Sequence, residues 1–148
     1  MTTIRSILVL NGPNLNMLGR REPEIYGTQT LADIERLCRE KALALGVEID
    51  FRQSNHEGEL IEWIHGAIHK YAAILINAAG YTHTSVAIHD ALKLTGLLVA
   101  EVHLSEPKSR EAFRHFSYIE PVASVHVSGK GAAGYGEALE KLTELLAA

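Results

Sequence analysis

Glu101 and His103 stand two residues apart at the end of an apolar run, Val99-Ala100-Glu101-Val102-His103-Leu104-Ser105. On a strand, that spacing points both side chains to one face. A carboxylate beside an imidazole fixes its tautomer and raises its pKa, which suits a general acid or base. A lone histidine there would read more simply as a core-edge residue bonded to backbone. Glu101 tips the balance, because a glutamate in a buried strand is costly without a partner. A second group, Asn14, Arg20, Arg21 and Tyr26, follows an earlier apolar run. Tyrosine titrates near pH ~10, and a neighbouring guanidinium stabilises the phenolate and lowers that value. A solvated loop with one anchoring aromatic explains the same spacing equally well. A third group, Asn77-Ala78-Ala79-Gly80-Tyr81-Thr82-His83-Thr84-Ser85, puts small residues and hydroxyls at a helix start. Free N–H groups there favour an anion such as a carboxylate. An ordinary cap accounts for Thr82, Thr84 and Ser85, but less well for Asn77 and His83.

Other patterns carry less. His65 and His69 have an i, i+4 spacing that can bind zinc, but Gly66 stands where the H-E-x-x-H motif needs glutamate, so a solvated helix face is expected. Gly129-x-Gly131-x-x-Gly134 fits a dinucleotide fingerprint locally. It opens the last βα unit, with no later strand to hold a ribose, and reads as a tight turn letting a helix pack closely. No G-x-x-x-x-G-K-[ST] phosphate loop occurs. Cys38 falls on an apolar helix face and is expected in the core.

These groups need elements to position them. The chain has 148 residues, 47% hydrophobic and 22% charged, enough for a full core and against a disordered or collagen-like chain. One domain spanning 1–148 is expected, with the stretch of about 19–28 as a lid loop. The net charge of −4 gives no basic footprint for nucleic acid. One cysteine excludes an intrachain disulfide. No apolar run approaches a membrane helix, and the first residues read poorly as a signal peptide, so a soluble, cytoplasmic protein is expected.

Ile4 to Leu10 reads as a buried strand stopped by Asn11-Gly12-Pro13-Asn14. Thr30 and Asp33 start a helix with Leu31, Ile34, Cys38 and Leu45 on one stripe, ended by Gly46. Val47, Ile49 and Phe51 alternate as a half-exposed strand. Ser54 to Glu57 reads as a capping box for a helix with Leu60, Ile61, Ile64 and Ile68. Strands follow at Ala73 to Ile76, Leu97 to Val102 and Val122 to Val127. Helices are expected from the Thr82–Ser85 cap to Gly96, briefly over Ser109 to Phe113, and from Tyr135 to Leu146. Five strands alternating with helices predict an α/β, flavodoxin-like, doubly wound, five-stranded parallel sheet of order 2-1-3-4-5. That topology gathers the loops after strands 1, 3 and 4 in one crevice.

Those loops carry a resemblance to a known family. Leu10 to Pro23, Ile25-Tyr26-Gly27, Arg52 to Gly58, Asn77 to Ser85 and Glu101 to Ser105 together resemble the type II 3-dehydroquinate dehydratases. The likeness runs from Ile7 to the final helix. It implies a cytoplasmic lyase that converts 3-dehydroquinate to 3-dehydroshikimate and water through an enolate, with no cofactor and no metal. It implies Tyr26 as the base, Arg21 holding it as phenolate, and Asn14 stabilising the enolate. His103 would protonate the departing hydroxyl, with Glu101 orienting it. Asn77, His83 and Arg114 would bind ring hydroxyls, and the backbone of Leu104 and Ser105 the carboxylate. Asp90 matches a substrate contact made from a neighbouring subunit. The implied assembly is a homo-oligomer, a dodecamer built as a tetramer of trimers, with neither nucleic acid nor membrane as partner. Glu106-Pro107-Lys108 departs from the family pattern after the Leu-Ser pair. The alternative is a flavin- or nucleotide-binding module of the same fold, which would leave Arg21, Tyr26 and His103 without a task.

Overall fold

The structure, a computed structural model, describes residues 5–20, 22–26 and 28–148, with the backbone alone at Pro23 and Tyr26. Strands β1 (Ser6–Asn11), β2 (Glu48–Gln53), β3 (Ala73–Asn77), β4 (Leu98–Val102) and β5 (Val125–Val127) form one sheet of order β2-β1-β3-β4-β5. Every neighbouring pair is parallel. The expected α/β architecture and strand order are both present.

The twofold period of the strands sorts the core into two layers. Ile7 and Val9 of β1 face helices α2 (Leu31–Leu45) and α5 (Ala133–Ala147), where Cys38, Tyr135 and Leu139 are buried. Leu8 and Leu10 face α3 (Glu57–His65) and α4 (Val86–Thr95), where Leu60, Ile64 and Ile88 are buried. A strand covered on both faces must be apolar throughout, which is why β1 and β3 are solid runs while β2, at the sheet edge, alternates.

The caps follow the sequence in part. Thr30 and Asp33 form the expected box around the start of α2, and Gly46 ends it in the left-handed region. Ser85 caps α4 by accepting from Ile88 N. Ser54, however, does not cap α3: its Oγ accepts from His56 N, and His56 itself is the N-cap without a side-chain bond. α3 also ends at His65, short of Ile68, and both His65 and His69 are exposed. The short helix over 109–113 is instead two 3-10 turns, Pro107–Ser109 and Ala112–Arg114. Glu106 caps the first, accepting from Lys108 N, with Pro107 fixing the entry. This is how the chain accommodates Glu106-Pro107-Lys108. β5 begins only at Val125, because Pro121 sits in a 3-10 turn (Glu120–Val122) and removes a ladder donor.

Gly129 and Gly131 adopt positive φ, and a Cβ on Gly134 would stand 3.2 Å from Val127 Cγ1. The glycine triplet is thus the close-packing turn expected of it. No helix among the described residues is long and apolar enough to cross a membrane.

Candidate active site

The carboxyl ends of β1, β3 and β4 open into a cleft of ≈ 170 Å³. Asn14, Asn77, His83, His103, Leu104, Ser105 and Arg114 all line it. Asn14 is held at its rim in the left-handed region (φ 71). Its backbone N–H donates to Asn55 Oδ1 at 2.9 Å, which pins its backbone to the start of the next loop.

Asn77 ends β3 and is buried. Its Nδ2 donates to Tyr135 Oη at 3.0 Å, and its Oδ1 accepts from Ala79 N at 3.1 Å. Tyr135 in turn donates to Asn11 Oδ1 at 2.7 Å. Burial pushes the Tyr135 phenol far above its usual range, so it stays a neutral donor. The network fixes the amide of Asn77 while leaving it further hydrogen-bonding capacity toward the cleft.

His83 presents the complementary character. Its Nδ1 lies 2.8 Å from the Phe116 carbonyl oxygen, which can only accept, so Nδ1 carries the proton and Nε2 is an acceptor. Burial is the main force holding this imidazole below its ordinary pKa, and the ring is neutral at neutral pH.

His103 Nε2 lies 2.6 Å from Glu101 Oε2. The Glu101 side chain is only 1% exposed. Burial works to raise its pKa, but hydrogen bonds from His103, Ser117 and His126 outweigh it, and the carboxyl sits below its ordinary range. An ionised Glu101 accepts only, so Nε2–H of His103 is the donor and Nδ1 is the nitrogen left for proton transfer. Directly after His103, the N–H groups of Leu104 and Ser105 meet no backbone carbonyl among the described residues. They suit a carboxylate.

Arg114 stacks over Phe113 at 4.9 Å and pairs with Glu111 at 3.0 Å, both orienting its guanidinium. Arg110 also lines the cleft, and its Nη1 donates to Ser105 Oγ at 3.4 Å. No carboxylate lines this cleft among the described residues, so its field favours an anionic small molecule.

One expected site residue is not brought there. Asp90 is exposed on α4 and does not line the cleft of its own chain. Arg21 and the Tyr26 side chain lie outside the described residues. The backbone of the segment before Tyr26 forms the helical turn α1 (Pro23–Tyr26), and Glu24 and Ile25 border a second, open cavity with Leu104, Ser105 and Arg110. Sequence reasoning passed over Arg110, Asn55, Tyr135 and His126. Arg110 sits in an irregular stretch without period, and the other three act only through long-range partners.

Cys38 is buried, and burial pushes its thiol up to about 12, which removes it as a nucleophile. Glu101, Glu120 and His126 bring three ligand atoms within 4.8 Å of one another, but both Glu101 oxygens already accept hydrogen bonds.

The chain is similar to known proteins over nearly its whole length. The family model described as "Dehydroquinase class II" matches residues 5–143. The chain is 61% identical over 136 residues to a 3-dehydroquinate dehydratase of Phenylobacterium zucineum, covering 92% of this chain and 94% of that one. It is 56% identical over 140 residues to 3-dehydroquinate dehydratase 2 of Pseudomonas putida, covering 95% and 94%. Among solved structures, a type II dehydroquinase from Butyrivibrio crossotus superposes with a TM-score of 0.93 at 40% identity, covering 95% of this chain and 99% of that chain.

Proposed function

The chain belongs to the class II dehydroquinase family, and from that premise we propose how its residues carry out the reaction. The protein is a lyase: it dehydrates 3-dehydroquinate to 3-dehydroshikimate and water, a step of the shikimate pathway. A flavin or nucleotide module of the same fold is not favoured.

In our reading Tyr26, as a phenolate held by Arg21, removes the proton alpha to the ketone, and Asn14 stabilises the enolate that forms. His103, protonated and oriented by Glu101, gives its Nδ1 proton to the departing hydroxyl, which leaves as water. The proton taken by Tyr26 and the one lost by His103 balance, so the enzyme needs only an internal proton return to reset. Asn77, His83 and Arg114 hold the ring hydroxyls, and the N–H groups of Leu104 and Ser105 take the carboxylate. Elimination beside a ketone requires a base, an enolate stabiliser and an acid, and we infer that no cofactor or metal takes part. The observation that carries this reading is the buried Glu101–His103 pair at the wall of a cleft lined by Arg110 and Arg114.

Residues 1–148 act as one catalytic domain, with 19–28 as its lid. The bordering of one cavity by Glu24, Ile25, Leu104 and Ser105 supports that role. From the family resemblance we read the protein as a homo-oligomer, a dodecamer, in which the exposed Asp90 reaches a neighbour's cleft. Sedimentation with and without Asp90→Ala checks this. A cytoplasmic location fits a chain whose one thiol is buried and reduced.

The central test is the growth of ultraviolet absorbance from the conjugated enone when dehydroquinate is added to metal-free, cofactor-free protein. Steady growth supports the reading, and none over a concentration series would sink it.

A further inference from the structure

Both oxygens of the buried Glu101 are occupied, by partners of different kinds. Oε2 accepts from His103 Nε2 at 2.6 Å and from Ser117 Oγ at 2.6 Å. Oε1 accepts from His126 Nδ1 at 2.8 Å. The third contact is built into the sheet, because Glu101 of β4 and His126 of β5 are register partners. In β5 the neighbours Val125 and Val127 are buried on the α2/α5 side, so the strand's period turns His126 to the face that carries Glu101. The two imidazoles then flank one carboxylate, their ring centroids 5.9 Å apart. The side chain of His103 is 8% exposed, whereas that of His126 is 38% exposed and does not line the substrate cleft.

We propose that His126 is a positioning residue for the acid step: its Nδ1–H anchors Oε1 so that Oε2 stays aligned on His103 Nε2. The proposal rests on the assignment of His103 as the acid. Without His126, a carboxylate oxygen in a dry site loses the partner the sheet provides. Glu101 then turns toward another donor or takes up a proton. Either change loosens the contact that holds His103 facing the leaving hydroxyl. His126 touches neither substrate nor reacting atoms, so binding is unaffected.

The test uses the full chain with His126→Ala, His126→Phe and His126→Asn. Asparagine places a neutral N–H near the position of Nδ1, whereas phenylalanine keeps a ring on the strand without a donor. His126→Ala and His126→Phe should lower kcat roughly tenfold, the size of losing one hydrogen bond to a buried charge, with KM within about twofold. His126→Asn should return kcat to within about twofold of the parent. Unchanged kcat in His126→Phe, or an Asn variant as slow as Phe while melting normally, overturns the proposal. His103→Ala separates the two levels. If it turns over like the parent, the acid assignment itself has failed. If it is inactive and His126→Phe is not slowed, only the positioning role has failed.

Discussion

Gly12 and Ala78 meet backbone to backbone where β1 and β3 end: a Cβ on Gly12 would stand 2.5 Å from the Ala78 carbonyl oxygen. Gly12 N–H also donates to Asn77 O at 2.8 Å. The two strand tips are thereby clamped together, and the clamp sets the separation of Asn14 from Asn77 across the cleft.

Gly12→Ala should therefore cost more than an ordinary glycine replacement. The obstacle is backbone, which cannot rotate aside, so a loss of about 1–3 kcal/mol is expected from overpacking. Urea unfolding followed by circular dichroism measures it. Stability equal to the parent would mean that the strand tips can part freely.

Tyr26→Phe should abolish turnover while leaving thermal unfolding unchanged and product binding nearly intact. Removal of a base acts on the chemical step, not on ground-state binding. Initial rates and product titration by calorimetry check both halves. Turnover near that of the parent would reject Tyr26 as the base.

Tyr135→Phe should destabilise the fold although Tyr135 never reaches the substrate. It strips Asn11 Oδ1 of its donor and Asn77 Nδ2 of its acceptor in a fully buried site. Leaving buried polar groups unpaired costs about 1–3 kcal/mol. KM should rise as Asn77 loses its fixed orientation. Denaturation midpoints and kinetics on the same preparation test the link, and a rise in KM without loss of stability would break it.

Glu101 gives a pH dependence with a definite sign. Its folded pKa lies below the ordinary 4.5. Stability from its ionised form is therefore complete above about pH 4.5 and is lost as pH falls through the lower folded value. Melting temperatures of the parent and Glu101→Gln should converge on acidification below that range and separate above it. A gap that stays constant down to pH 3 would show that the carboxylate charge contributes nothing.

How legible all this was in the sequence depends on range. β1 and β3 are solid apolar runs, and the Thr30–Asp33 box is local chemistry, so both could be read directly. The Glu101–His103 pair was legible because two residues on one strand face must meet. The cap at Ser54 misled because its hydroxyl bonds two residues on, which the S-x-x-E pattern does not distinguish. The 109–113 stretch misled because Glu106 and Pro107 impose an earlier 3-10 turn. Tyr135 lies 124 residues from Asn11, and no local period announces that contact. His126 carried a faint signal, a polar residue between two valines, which gained meaning only once the register placed it opposite Glu101.

Cys38 is the chain's single thiol, wholly enclosed between α2 and the sheet and held as an unreactive SH. A disulfide reagent in solution can colour only when that layer parts. The protein thus carries an intrinsic opening clock: the rate of thiol labelling under native conditions counts excursions of the α2/α5 layer. Comparing that rate with and without bound product would reveal whether occupancy of the cleft quiets this layer.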